Sequence, residues 1–253
     1  MQPSGNTILI TGGGSGIGRG LAEALQAAGN QVIIAGRRQS ALDATTSANP
    51  GMQSVVLDVE QAGSISSFAA DVVEQFPTLN VLINNAGIMR PESLKAEPVN
   101  LADAEAMIAT NLLGPIRLTA ALLPHLKQQP NAAVVNVSSG LAFVPLALTP
   151  TYNATKAAIH SYTQSLRYQL RGTAVEVLEI IPPYVQTDLM NGAEDPRAMP
   201  LKDYLAETMS LLCQQPTPPV IIVERVKPLR FAAETGKYDA TFNGLNAMLA
   251  GDH

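Results

Sequence analysis

Tryptophan is absent from these 253 residues, cysteine occurs once, at Cys213, and histidine three times. A lone thiol cannot close an internal disulfide and offers no paired-cysteine metal spacing. That usage fits a reducing, cytoplasmic setting. Basic residues are scarce too: 16 Lys and Arg stand against 21 Asp and Glu, a net charge of −5, and they form no run. Nucleic acid is therefore not an expected partner, because neutralising phosphates needs clustered cations. No uninterrupted apolar stretch approaches the roughly 20 residues that span a bilayer, and the opening segment lacks the charged-then-apolar order of a signal peptide. No membrane role is expected. His125 and His160 lie in helical stretches without a spaced partner, and His253 is the final residue, so no metal site is expected either.

What is present is a regular alternation. Short apolar runs at 7–11, 31–35, 53–57, 81–84, 133–137 and 175–181 are separated by helical patterns at about 39–48, 61–75, 100–128 and 151–171. A further helix follows the Gly-rich turn after the first run. Strands with little polar alternation are covered on both faces, and strands alternating with helices make a parallel sheet. With right-handed crossovers this predicts a doubly wound α/β sheet (a Rossmann fold) of about six strands, helices on both faces. No linker or repeat divides it, so residues 1–253 read as one domain. The proline-rich segment after Ile181 and the helical pattern at 201–213 read as an insertion, about 188–213, over the sheet edge. A helix is expected at 241–250, and no last strand is recognisable before it.

Two places on this frame carry binding chemistry. Thr11-Gly12-Gly13-Gly14-Ser15-Gly16-Ile17-Gly18 joins the first strand to the first helix. Glycines there allow positive φ and close approach of a pyrophosphate, which the free N–H groups of the helix start would bind. The second strand ends in Gly36-Arg37-Arg38. An NAD site places a carboxylate here for the ribose 2′-hydroxyl, whereas guanidinium groups suit a 2′-phosphate. The reading is NADP(H); solvated arginines at a helix start are the alternative. Further on, Tyr152 and Lys156 lie four apart at a helix start, on one face. An ammonium near a phenol stabilises phenolate, so the pair predicts a lowered tyrosine pKa suited to acid/base work.

The Gly pattern, Leu57-Asp58-Val59, Asn84-Asn85-Ala86-Gly87, Asn111, Ser138-Ser139 and Tyr152-Asn153-Ala154-Thr155-Lys156 resemble, in that order, the short-chain dehydrogenase/reductase family. The resemblance runs from residue 5 to about 190. Pro182-Pro183-Tyr184-Val185-Gln186-Thr187 is similar to a further family segment, with Pro183 where glycine is usual. Pro182-Pro183 and the tail Glu224–Phe231 also resemble a bacterial subgroup labelled for D-alanylation of teichoic acids.

The resemblance implies hydride transfer between NADP(H) and a small carbonyl or alcohol substrate. Tyr152 would be the acid/base. Ser139, thirteen residues before it, would bind the substrate oxygen. Lys156 would also hold the nicotinamide ribose, and Asn111 would complete a proton relay through water. Pro115 lacks the N–H that would otherwise cap the Asn111 carbonyl, which leaves that carbonyl for the water. Gly12, Ser15, Gly16, Ile17 and Gly18 would take the pyrophosphate, and Arg37 and Arg38 the 2′-phosphate. Asp58 and Val59 would meet adenine, although a strand-end cap is an open reading of Asp58. Asn85, Ala86, Gly87, Pro182, Val185 and Thr187 would line the nicotinamide side. The resemblance also implies a homodimer or homotetramer built on the helices at 100–128 and 151–171. A catalytically idle NADP(H)-binding sensor or scaffold is the alternative function, disfavoured by the presence of all four catalytic residues.

Overall fold

The computed structural model describes residues 1–250. His253 lies outside the described residues. The apolar, β-branched runs become β1 (Thr7–Thr11), β2 (Gln31–Gly36), β3 (Gln53–Val56), β4 (Leu79–Asn84), β5 (Ala132–Val137), β6 (Val175–Ile181) and β7 (Val220–Ile222). They pair in parallel in the order β3-β2-β1-β4-β5-β6-β7. Every residue of β1, β4 and β5 is buried. Side chains alternate across the sheet. Ile8 and Ile10 join the core under α1 (Gly16–Ala27) and α7 (Leu201–Leu212), while Leu9 joins the one under α3 (Ala62–Gln75) and α5 (Gly114–Leu126). This is the expected doubly wound α/β fold.

The strand count corrects the expected six to seven. β7 has three residues and follows Pro216, Pro218 and Pro219, so no local periodicity announces it. It is a strand because Val220, Ile221 and Ile222 pair with Glu179, Ile180 and Ile181.

The remaining helices are α2 (Gln39–Ala48), α4 (Ala102–Ile108), α6 (Pro150–Gln169), α8 (Lys227–Arg230) and α9 (Tyr238–Ala250). Between α4 and α5, Ala109–Leu113 forms a widened π-type turn in which the Gly114 N–H bonds the Ala109 carbonyl. Such turns occur where a helix must bend or present a group. Gly114 also lets the helix pass Val59, whose Cβ would lie 2.9 Å from any Cβ placed there. Taken as one helix, Ala102–Leu126 is long and apolar enough to cross a membrane by length and composition, although Asp103, Glu105 and Arg117 keep it from being an uninterrupted apolar run. Its Leu118, Leu122 and Leu126 are wholly buried in the core.

The chain leaves β1 toward β2 on one side and returns at β4 on the other. At that reversal the loops after the strands separate and open a crevice, which is where open α/β sheets bind ligands.

Candidate active site

A cleft of about 760 Å³ occupies this crevice. Its first wall is the turn from β1 into α1. Gly12 and Gly16 have φ of +70° and +52°. A Cβ on Gly18 would lie 2.3 Å from the Gly12 carbonyl oxygen and 2.4 Å from Asn85 Nδ2, so the turn closes only around a bare Cα. Thr11 ties this turn to β4: its Oγ1 accepts from the N–H groups of Asn85 and Ala86, each at 3.0 Å, and its carbonyl accepts from Asn85 Nδ2 at 3.0 Å. Ser15 precedes α1 without a side-chain cap bond to it, leaving the first N–H groups of the helix directed at the cleft. The donors and the missing side-chain volume fit a dinucleotide pyrophosphate.

Arg37 and Arg38 line the cleft at the end of β2. Arg38 donates to Ser15 Oγ at 3.4 Å, and Arg37 pairs with Glu60 at 3.6 Å. Leu57 and Val59 line the next stretch. Asp58 is not among the lining residues; its carboxylate accepts from the Glu60 N–H at 3.1 Å, a strand-end turn.

At the other end Ser139, Tyr152 and Lys156 all line the cleft and all are buried. Ser139 stands at the end of β5 in extended backbone and accepts from the Leu141 N–H at 3.1 Å. Tyr152 and Lys156 come from the first turns of α6. Burial pushes the Tyr152 phenol up to about 12, offset in part by its hydrogen bond with Ser139. Burial also lowers Lys156 to about 8. The expected lowering of the tyrosine pKa is therefore reversed. Lys156 Nζ donates to the Val137 carbonyl at 2.9 Å and lies 5.6 Å from the Tyr152 ring centre, so desolvation outweighs its attraction for a phenolate.

Asn111 sits in the widened turn behind the wall. Its Oδ1 accepts from the Ile88 N–H and its Nδ2 donates to the Ile88 carbonyl, both at 2.8 Å. The side chain thus clamps the segment after β4, in which Asn85, Ala86 and Gly87 line the cleft. Pro182, Val185 and Thr187 line it beyond β6, so Pro183 does not divert that path. Of the apolar residues in the 188–213 segment, Leu189 and Met190 reach the cleft, whereas Met199, Tyr204, Leu205 and Met209 pack into the core.

The sequence profile of the short chain dehydrogenase family matches residues 6–198. Over an alignment of 253 positions, covering 98% of this chain and 99% of the relative, the chain is 39% identical to an uncharacterized oxidoreductase, DltE, of Bacillus subtilis (strain 168). This chain belongs to the short-chain dehydrogenase family. Among solved structures it resembles a short-chain dehydrogenase from Burkholderia cenocepacia J2315 in complex with NADP, with a TM-score of 0.81, 25% identity and coverage of 97% and 99% of the two chains. It also resembles a 3-ketoacyl-(acyl-carrier-protein) reductase from Brucella melitensis complexed with NADH, with a TM-score of 0.77, 26% identity and coverage of 87% and 96%.

Several groups around this short-chain dehydrogenase site are not evident from the sequence. Asp195 lines the cleft between Tyr184 and Arg197. Hydrogen bonds from Arg197 hold its carboxyl down to about 2, and the Tyr184 hydroxyl donates to it at 3.1 Å. Behind Ser139, the Ser138 hydroxyl donates to the fully buried Glu179 at 2.5 Å, and His160 Nδ1 lies 2.9 Å from the same carboxylate. This cluster links the end of β5 to α6, and so Ser139 to Tyr152 and Lys156. Its members come from three elements, and their spacing in sequence gives no signal.

Proposed function

We propose that this protein is an NADP(H)-dependent oxidoreductase that transfers a hydride between the nicotinamide and a carbonyl or alcohol carbon, with Tyr152 as acid/base. The observation that carries the reading is the convergence of Ser139, Tyr152 and Lys156 on one end of a cleft whose other end is the Gly-rich start of α1. The bound cofactor would supply or accept the hydride. Gly12, Ser15, Gly16, Ile17 and Gly18 would hold its pyrophosphate, Arg37 and Arg38 its 2′-phosphate, and Val59 its adenine. Asn85, Ala86, Gly87, Pro182, Val185 and Thr187 would line its nicotinamide. No carboxylate ends β2, which supports NADP(H) over NAD(H).

In reduction, Ser139 orients the substrate oxygen and Tyr152 gives it a proton. With its pKa pushed up to about 12 in the cofactor-free cleft, the phenol is protonated at neutral pH. Lys156 opposes the charge that develops as the proton leaves. Asn111 returns the proton through its main-chain carbonyl and a water, since its side chain is engaged by Ile88 and Pro115 offers the carbonyl no N–H.

The outward-facing Ala154, Ala157 and Ser161 of α6, with Ile108 exposed on α4, support a homodimer through these helices. Light scattering checks it.

The test of function is NADPH oxidation, followed by nicotinamide absorbance, over a panel of aldehydes, ketones and diketones beside Tyr152→Phe. Turnover that disappears in the variant while NADPH binding persists is the expected result. Tight NADPH binding without turnover on a broad panel would favour a sensor or scaffold instead.

A further inference from the structure

The charges around the cleft are unevenly placed. Arg37 and Arg38 lie at the end of β2, Lys156 on α6, and Asp188, Asp195 and Arg197 in the segment after β6. The turn after Ser139 contributes Gly140, Leu141, Leu146 and Leu148, and the C-terminal helices α8 and α9 contribute Leu229 and Leu245. One side of the substrate end is thus aliphatic. Part of that side, α8 and α9, lies outside the region matched by the family profile, which stops at residue 198.

This wall is held together across a long sequence separation. Asn246 Oδ1 accepts from the Ala147 N–H at 2.6 Å, and its Nδ2 donates to the Pro145 carbonyl at 3.2 Å, so one amide brackets Leu146. From the other side Asn153, the neighbour of Tyr152, donates Nδ2 to the Leu146 carbonyl at 2.7 Å. Glu92 donates its N–H to the Leu148 carbonyl at 2.9 Å while its carboxylate accepts from Thr151 at the start of α6. Leu146 is therefore fixed between the catalytic helix and α9. Tyr238, Asp239, Ala240, Asn243 and Gly244 of α9 are exposed, so the docking of this helix is concentrated on the face that carries Leu245 and Asn246.

We infer that α9 is a substrate-selecting wall: the substrate's carbonyl carries an uncharged aliphatic chain that runs from Ser139 and Tyr152 along Leu141 and Leu146 to Leu245. Asn246 is the positioning residue that holds this wall. The inference rests on the oxidoreductase reading above and extends it to a substrate class. A charged or strongly polar chain would lose its hydration against this side without gaining a partner.

The test uses the full chain with NADPH and linear saturated aldehydes from propanal to octanal. kcat/KM is expected to rise about fourfold for each added methylene until the chain reaches α9, the factor for moving one CH₂ from water to an apolar surface. Leu245→Asp and Asn246→Ala should flatten the octanal-to-propanal ratio; Asn246→Asp, which keeps the acceptor for Ala147, should restore part of it. NADPH affinity, read separately, controls for folding. A ratio near one in the wild type, or one unchanged in Leu245→Asp, overturns the inference. Calorimetric binding of linear 1-alkanols to the NADPH-loaded protein repeats the comparison without turnover. Binding that strengthens with length and weakens in Leu245→Asp, with no aldehyde reduced, upholds the wall and overturns the oxidoreductase reading alone. Binding indifferent to length in both proteins overturns the wall.

Discussion

Replacing Lys156 by methionine should stabilise the cofactor-free protein. The ammonium is buried, and among the described residues its acceptor is the Val137 carbonyl. The drop of its pKa from 10.5 to about 8, at about 1.4 kcal/mol per pH unit, puts the cost of burying the charge at roughly 3 kcal/mol. Methionine has similar length and carries no charge. It forfeits the bond to Val137, worth about 1 kcal/mol, which leaves a net gain of about 2 kcal/mol. In a chain of this size that raises Tm by roughly 4–8 °C. The sign with pH follows from proton counting. Below the folded-state value of about 8 both folded and unfolded chains hold the lysine proton, and the full cost is present. Between there and the ordinary 10.5 the unfolded chain binds the proton that the folded chain has lost, so wild-type stability rises with pH. The variant has no such group. Its advantage is therefore complete at pH 7, crosses zero at about pH 10, and above that gives way to a wild type more stable by up to about 1 kcal/mol, the worth of the Val137 bond. Thermal unfolding of both proteins by circular dichroism, across that range and without cofactor, is the assay. A variant less stable at pH 7, or an advantage that does not shrink as pH rises, would refute the reasoning. The same variant should lose turnover.

Arg37→Asp should cut the preference for NADP over NAD about ten- to a hundredfold, the worth of a charge-assisted contact, in paired Kd measurements. Gly18→Ala should weaken cofactor binding sharply, because its Cβ would sit 2.3 Å from the Gly12 carbonyl oxygen; fluorescence titration with NADPH reads this. Glu179→Ala should cost on the order of 3 kcal/mol in urea unfolding, since it takes the carboxylate from the buried Ser138 hydroxyl and the partly exposed His160 and opens a cavity.

The strands with strong aliphatic runs were legible because each is buried on both faces and so announces itself locally. β1, β2, β4, β5 and β6 fall within a few residues of their expected places. β7 was not, because its strand character comes from pairing with β6 rather than from its own three residues. The Gly-rich turn and the Tyr152–Lys156 pair were legible for a related reason: turn and helix geometry put the needed groups within a few residues of one another. The direction of the Tyr152 pKa was not legible, since it depends on burial and on where the Lys156 ammonium points.

By itself, then, the sequence determined a parallel α/β sheet, a pyrophosphate-shaped turn after its first strand, two arginines where a carboxylate would mark NAD, and a phenol and an amine on one helical face. Those are short-range consequences of backbone sterics and of side-chain periodicity. Only the tertiary structure decided that Glu179 stands behind Ser138 with His160, that Asp195 faces the cleft beside Arg197, and that Leu245 closes a wall with Leu146. Each joins residues from separate elements. Which side chains meet there is set by how helices and loops pack on the sheet, and that information is distributed over the whole core rather than written in any one segment.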